Sequence, residues 1–314
     1  MKGTGSIYDR IKGCIESSGV LPEDFVLEER EYKENELHFA PGALEGILGH
    51  HSSGNGVGES LAEKLKEYLK RPLEAAMANF EREVATDGQM ASARKGIRKI
   101  ILEHQEEYDA GKVYALARFF AVNGTKVETV KLGLSLLALF DTGDLEEVRE
   151  ILGTLGCCEE FTDYVLSASE TWAESDRQEL YFELAKKLHG WGKISAVERM
   201  EADTEEKQEW ILCHGCKNSI MNAYLGLVCA EKCDFEKRLQ QGNLTEEQFL
   251  GAREIMDGLL DEGPCEGLSA WENPVKLVLL YLEECGKHFL DVDLVVQLAD
   301  IRAFSMNWMR VAKR

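Results

Sequence analysis

From Ser60 onward the chain is punctuated as a run of short helices, and this punctuation constrains the fold more than any single motif. Leu61, Leu65, Tyr68 and Leu69 form one helical stripe, and Leu73, Met77, Phe80 and Val84 the next, with Pro72 restarting the helix between them. Ile97, Ile100, Ile101 and His104 continue on a further helix, where His104 reads as a hydrogen-bonded core histidine. Helix starts follow in series. Thr125 precedes Glu128 by three residues, Asp144 precedes Glu147, Ser175 precedes Gln178 and Thr245 precedes Gln248. This is the spacing at which two side chains satisfy the orphan amides of a first turn. Asn273-Pro274 is another start, and Asp203 or Thr204 caps the helix that follows Glu201. Glycines at 111, 124, 143, 156, 190, 215 and 242 stand where helices stop. Five prolines in 314 residues suit such a pattern, because an interior proline breaks a helix.

Short connections make successive helices antiparallel. The expected fold is therefore all-α, with antiparallel helix pairs stacked as a HEAT or armadillo-like α-solenoid; an irregular helical bundle is the competing architecture. Two segments are apolar almost all round, Val130 to Phe140 and Val275 to Cys285, and both open on Val-Lys-Leu. Helices without a polar face are covered on both sides. The shared opening hints at an internal duplication.

The first residues read differently. Ile7 to Ser17 makes a short amphipathic helix, and Phe25 to Tyr32 with Leu37 to Phe39 suggests a short β-hairpin. Gly42 to Ser60 is rich in glycine and reads as a flexible surface loop without the endings of a phosphate-binding motif. His50-His51 within it is a possible metal pair that lacks an identifiable third ligand. This divides the chain into an irregular segment, residues 1–58, and a helical-repeat domain, residues 59–314.

Charge and cysteine content bound the function. A formal charge of -21 argues against nucleic acid, since phosphate binding needs clustered cations. The one basic turn, Arg94 to Lys99, reads as a solvated helix face. No secretion signal and no membrane span is evident, so the chain is expected to be soluble and cytoplasmic, with its nine cysteines reduced. Cys213, Cys216, Cys229 and Cys233 nonetheless have the outline of a four-thiolate zinc site. Buried free thiols are the expected state and zinc the alternative, because Cys213 and Cys216 lie across a helix end at Gly215, ahead of a helix from Asn218 to Cys233. No other cofactor is indicated.

The corner Gly190-Trp191-Gly192-Lys193-Ile194 places an aromatic between two glycines. Trp191 either plugs a gap between helix pairs or, with Lys193, is presented to a partner. This corner, with Val197-Glu198-Arg199, Trp210, Gly215-Cys216-Lys217-Asn218, Met221 and Tyr224, resembles a group of bacterial helical-repeat proteins, some labelled limonene hydroxylase. The resemblance implies a monooxygenase or dehydrogenase acting on a terpene and transfers no catalytic residue. The sequence itself contains no haem-thiolate loop, dinucleotide fingerprint or facial metal triad. The expected function is a non-enzymatic helical-repeat scaffold or adaptor binding another protein, with its carboxylates (Glu201 to Glu209, Asp257 to Glu262) steering a basic partner. An oxidoreductase, or a zinc-dependent enzyme, is the alternative.

Overall fold

The computed structural model describes residues 5–15, 19–22, 25–27, 39–51, 57–83, 89–263 and 265–311. The described residues are helices and connections, with no strand among them. Most of the expected hairpin lies outside these residues. No helix among them is long and apolar enough to cross a membrane.

The chain divides into two compact units between Ala196 and Val197. The first contains α1 (Ile7–Cys14), α2 (Ala43–His51), α3 (Val57–Tyr68), α4 (Leu73–Glu83), α5 (Gln89–Glu103), α6 (Ala110–Asn123), α7 (Val127–Leu137), α8 (Glu146–Gly156), α9 (Glu159–Ala168) and α10 (Glu174–Lys187). Then comes α11 (Trp191–Arg199), in which the division falls. The second contains α12 (Glu205–Trp210), a π turn (Ile211–Gly215), α13 (Gly226–Lys232), α14 (Phe235–Gln241), α15 (Glu246–Leu260), α16 (Pro274–Cys285) and α17 (Val292–Val311).

In the first unit α7 is the axis. It touches α4, α5, α6 and α9, and every one of its residues is buried. That is the cover an all-round apolar helix requires. The amino-terminal helix is part of this unit: α1 buries Ile7, Tyr8 and Ile11 and packs on α6 and α8. The tract read as a flexible loop begins instead with α2, because Glu45 and Gly46 have specific partners in the core, described below. In the second unit α15 plays the central part, touching α13, α17 and the π turn while burying Phe249, Ala252, Ile255, Met256 and Leu259.

The caps divide sharply. Thr245 and Gln248 make the full reciprocal box, Thr204 accepts from the Lys207 amide at 3.2 Å, and Asn273 accepts from the Lys276 amide at 3.1 Å. The other three expected boxes are not made. Lys126, Leu145 and Ala173 occupy those cap positions without side-chain bonds. Thr125 instead donates to Glu81 and Glu128 turns into the core. His104 also departs from expectation. Its side chain is 53% exposed and lies 3.4 Å from Glu107, since it stands where α5 ends.

Candidate functional site

The four cysteines singled out by spacing do not converge. Cys216 donates to the Glu254 carbonyl at 3.2 Å, Cys233 lies 4.0 Å from the Ala230 carbonyl, and Cys213 lies 3.6 Å from a Glu209 oxygen. Among the described residues, the one group of metal-type ligands gathered within 4.8 Å is His104, Glu106 and Glu107, all exposed. The reason is local geometry. The π turn re-aims Cys213 and Cys216, and the following α-helix starts only at Gly226, eight residues later than the expected Asn218. Burial, helped by Glu209, pushes the Cys213 thiol up to about 12, and burial beside Cys229 also raises Cys233. Both shifts disfavour the thiolate, the nucleophilic form. The side chains of His50 and His51 lie outside the described residues.

Trp191 and Lys193, the expected partner contacts, are 6% and 7% exposed. Neither offers a side chain to a partner, and Trp191 is a plug. A Cβ on Gly46 would lie 2.2 Å from Cε3 of its indole, so α2 approaches the ring this closely only because residue 46 is glycine. The corner itself is organised by a carboxylate. Glu159 Oε1 accepts from the His189 and Gly190 amides, both at 2.7 Å, and Oε2 accepts from Gly192. A negative group at the opening of α11 satisfies its orphan amides and its dipole together. Gly192 permits the approach, since a Cβ there would lie 2.5 Å from Thr162 Oγ1. In the second unit Lys232 gives its ammonium to the carbonyls of Val197 at 2.7 Å, Glu198 at 2.8 Å and Met200 at 2.5 Å. Burial pulls its pKa down, yet three carbonyl acceptors match the three protons of the charged form. Gly190, Gly192 and the carbonyls of Val197 and Glu198 are thus engaged in backbone-holding hydrogen bonds and close packing.

The densest chemistry in the first unit surrounds Lys131, which the sequence reading left inside an apolar run. Its ammonium, 1% exposed, donates to Glu45 at 2.7 Å and Glu160 at 2.6 Å, with Glu128 at 3.8 Å. Each carboxylate has a second anchor. Glu128 accepts from the Met90 amide at 2.7 Å, Glu160 from the Gly42 amide at 2.9 Å, and Glu45 from the Tyr164 hydroxyl at 2.9 Å. Arg94 lies over the Tyr164 ring, 5.1 Å from its centroid, and pairs with Asp163. It is not the solvated cation expected of the 94–99 turn. Glu45 Oε2 is the one buried side-chain oxygen or nitrogen without a hydrogen-bond partner among the described residues.

These groups shape each other's charge. Burial alone would draw Lys131 down, but Glu160, Glu45 and Glu128 outweigh it and hold the ammonium above its ordinary range. Glu128 goes the other way: burial raises it, and Lys131 only partly offsets that. Burial, reinforced by Glu45, keeps the Tyr164 phenol protonated far above neutral pH. An ammonium so held supplies no free amine for addition to a carbonyl. The arrangement is a junction that ties α2, α5, α7 and α9 together. A buried charge of this kind is tolerable only when paired and hydrogen-bonded.

The surface of the second unit carries the other unusual feature. On α16, Val275, Leu279 and Leu282 are 51%, 56% and 36% exposed, although the inward face buries Leu277, Val278 and Tyr281. The expectation that this helix is covered on both sides fails. Phe289 and Leu290, in the connection to α17, are exposed as well, at 83% and 57%. Glu272 and Glu283 border the stripe on α16, and the Lys276 side chain is drawn to Glu236 at 2.5 Å. An apolar strip edged by charge is the physical form of a contact surface. No protein-family model matches the chain, and neither a curated protein nor a solved structure is similar to it.

Proposed function

We propose that this chain is a non-enzymatic helical protein whose second unit binds another protein, as a scaffold or adaptor does. One observation carries the proposal. Of the sixteen large apolar side chains exposed among the described residues, nine fall within residues 275–306. Scattered exposed leucines are ordinary, whereas a concentration of this kind marks an interaction surface. The net charge of -21 and the bordering Glu272 and Glu283 favour a partner carrying lysine and arginine, and disfavour nucleic acid.

A HEAT-like stacking of antiparallel pairs is part of the same reading. It is supported by contacts between next-but-one helices within each unit: α5 with α7 and α7 with α9, then α13 with α15, α14 with α16 and α15 with α17. The nine cysteines form no disulfide and six of them are buried, which suits a reducing compartment such as the cytoplasm. An oxidoreductase or zinc enzyme draws no support from the cysteines or the corner, whose groups are engaged in packing.

The test is a photo-crosslinking residue at Leu279, compared with the same residue at Leu102, which is 52% exposed and outside the cluster. An adduct with a lysine- and arginine-rich protein at 279, absent at 102 and lost in Leu282→Asp, is the expected result. Equal labelling at both positions would discard the proposal.

A further inference from the structure

The inner face of α17 is complete without its outer one. Leu294, Gln297 and Ile301 are 0%, 4% and 3% exposed and lie at i, i+3 and i+7, on the side where α17 meets α15. Opposite them, Val292, Val295, Val296, Ala299, Ala303 and Met306 are all exposed, Val292 at 77%. Val292, Val296, Ala299, Ala303 and Met306 follow one another at intervals of four and three residues in alternation, with Val292, Ala299 and Met306 seven apart and Val295 beside the row. That is the seam of a helix that receives another helix, narrow and repeating every 3.5 residues. A helix apolar on two faces calls for cover on two.

The flanks say what the cover is. Asp293 and Asp300, also seven residues apart and exposed, run along one edge of the seam, and Arg302 stands at the other. A second copy of this chain would bring a further -21 and its own aspartates to the same place. We infer that the occupant is one amphipathic helix of a different protein, with apolar residues at heptad spacing and lysine or arginine on the edge facing Asp293 and Asp300. This rests on the protein-binding reading above and names the partner's chemistry. The seam from Val292 to Met306 is roughly 21 Å long, enough for four turns of the incoming helix.

Synthetic peptides of about 20 residues, three helical heptads long, supply the probe. One carries leucine at the seam positions with lysine flanks, a second the same seam with glutamate flanks, and a third the lysine flanks with two central prolines. Binding to the full chain is read by fluorescence anisotropy. The lysine peptide is expected to bind at least about tenfold tighter than the glutamate peptide at ~0.05 M salt, with a gap that narrows at 0.5 M. The proline peptide is expected not to bind. Val296→Glu should weaken the lysine peptide by about tenfold or more, although its added negative charge favours nonspecific attraction to lysine. Its melting temperature should stay unchanged, because Val296 is 55% exposed. Asp293→Asn with Asp300→Asn should bring the lysine and glutamate peptides closer together.

Equal affinities, or binding indifferent to Val296→Glu, would overturn the inference. So would a dimer in sedimentation that Val296→Glu converts to monomer, since a second copy would then be the occupant. Crosslinks from Leu279 without any from Ala299 would overturn the inference and leave the broader function standing. Crosslinks from neither position would remove both.

Discussion

Two helices in this molecule contain the same three-residue stretch and stand in opposite circumstances. Val130-Lys131-Leu132 belongs to α7, in which every residue is buried; Val275-Lys276-Leu277 belongs to α16, whose Val275, Leu279 and Leu282 face outward. The lysines differ as much as the faces. Lys131 is 1% exposed among Glu45, Glu128 and Glu160, whereas Lys276 is 49% exposed on Glu236. Hydropathy fixes how much apolar surface a helix needs to cover, and says nothing about whether the cover comes from the same chain. In α7 it is supplied by α4, α5, α6 and α9. In α16 half of it is left for something else.

The largest test of this contrast replaces each lysine by methionine. Lys131→Met strands three buried carboxylates and is expected to cost about 3–5 kcal/mol in urea unfolding. Lys276→Met loses a half-exposed pair and is expected to cost at most about 1 kcal/mol. Similar costs would erase the distinction. A somewhat smaller effect separates the leucines. Leu132→Ala, within a fully packed core, should cost about 2–5 kcal/mol, and Leu279→Ala should stay within about 0.5 kcal/mol.

The subtlest test uses pH. Burial raises the carboxyl of Glu128, so the folded state holds that proton more tightly than the unfolded chain. Its contribution is therefore complete below the ordinary value of 4.5 and is lost as pH rises through the raised one. Glu128→Gln keeps an oxygen for the Met90 amide and has no proton to lose. Its stability relative to the parent should rise as pH climbs from about 4 to 7. A constant difference across that range would show that Glu128 titrates normally.

What the sequence made legible was local. The Thr245 box, the Thr204 cap and the Asn273-Pro274 start involve groups three residues apart, and their chemistry is complete within one turn. The Thr125 and Glu128 spacing was just as good, but Glu81 and Lys131 compete for those side chains from elsewhere in the chain. Glu45 was hidden for the same reason. It sits in a glycine-rich tract that looks unstructured until Lys131, 86 residues away, gives it a partner. A lysine inside an apolar run was the available signal. The helix expected from Asn218 was set too early, because a π turn and a late helix start intervene at Gly215. The glycines around Trp191 marked a tight corner, but whether the indole faced inward or outward depended on Gly46, which is distant in sequence.

The carboxylate of Glu159, with three main-chain amides converging on it, has an implication for how this fold handles anions. Such a concavity is what phosphate and sulfate seek, and here the polypeptide fills it with a side chain of its own. The mouth of α11 is therefore a closed socket. Replacing Glu159 by alanine would empty the seat, and inorganic sulfate would then stabilise the variant more than it stabilises the parent.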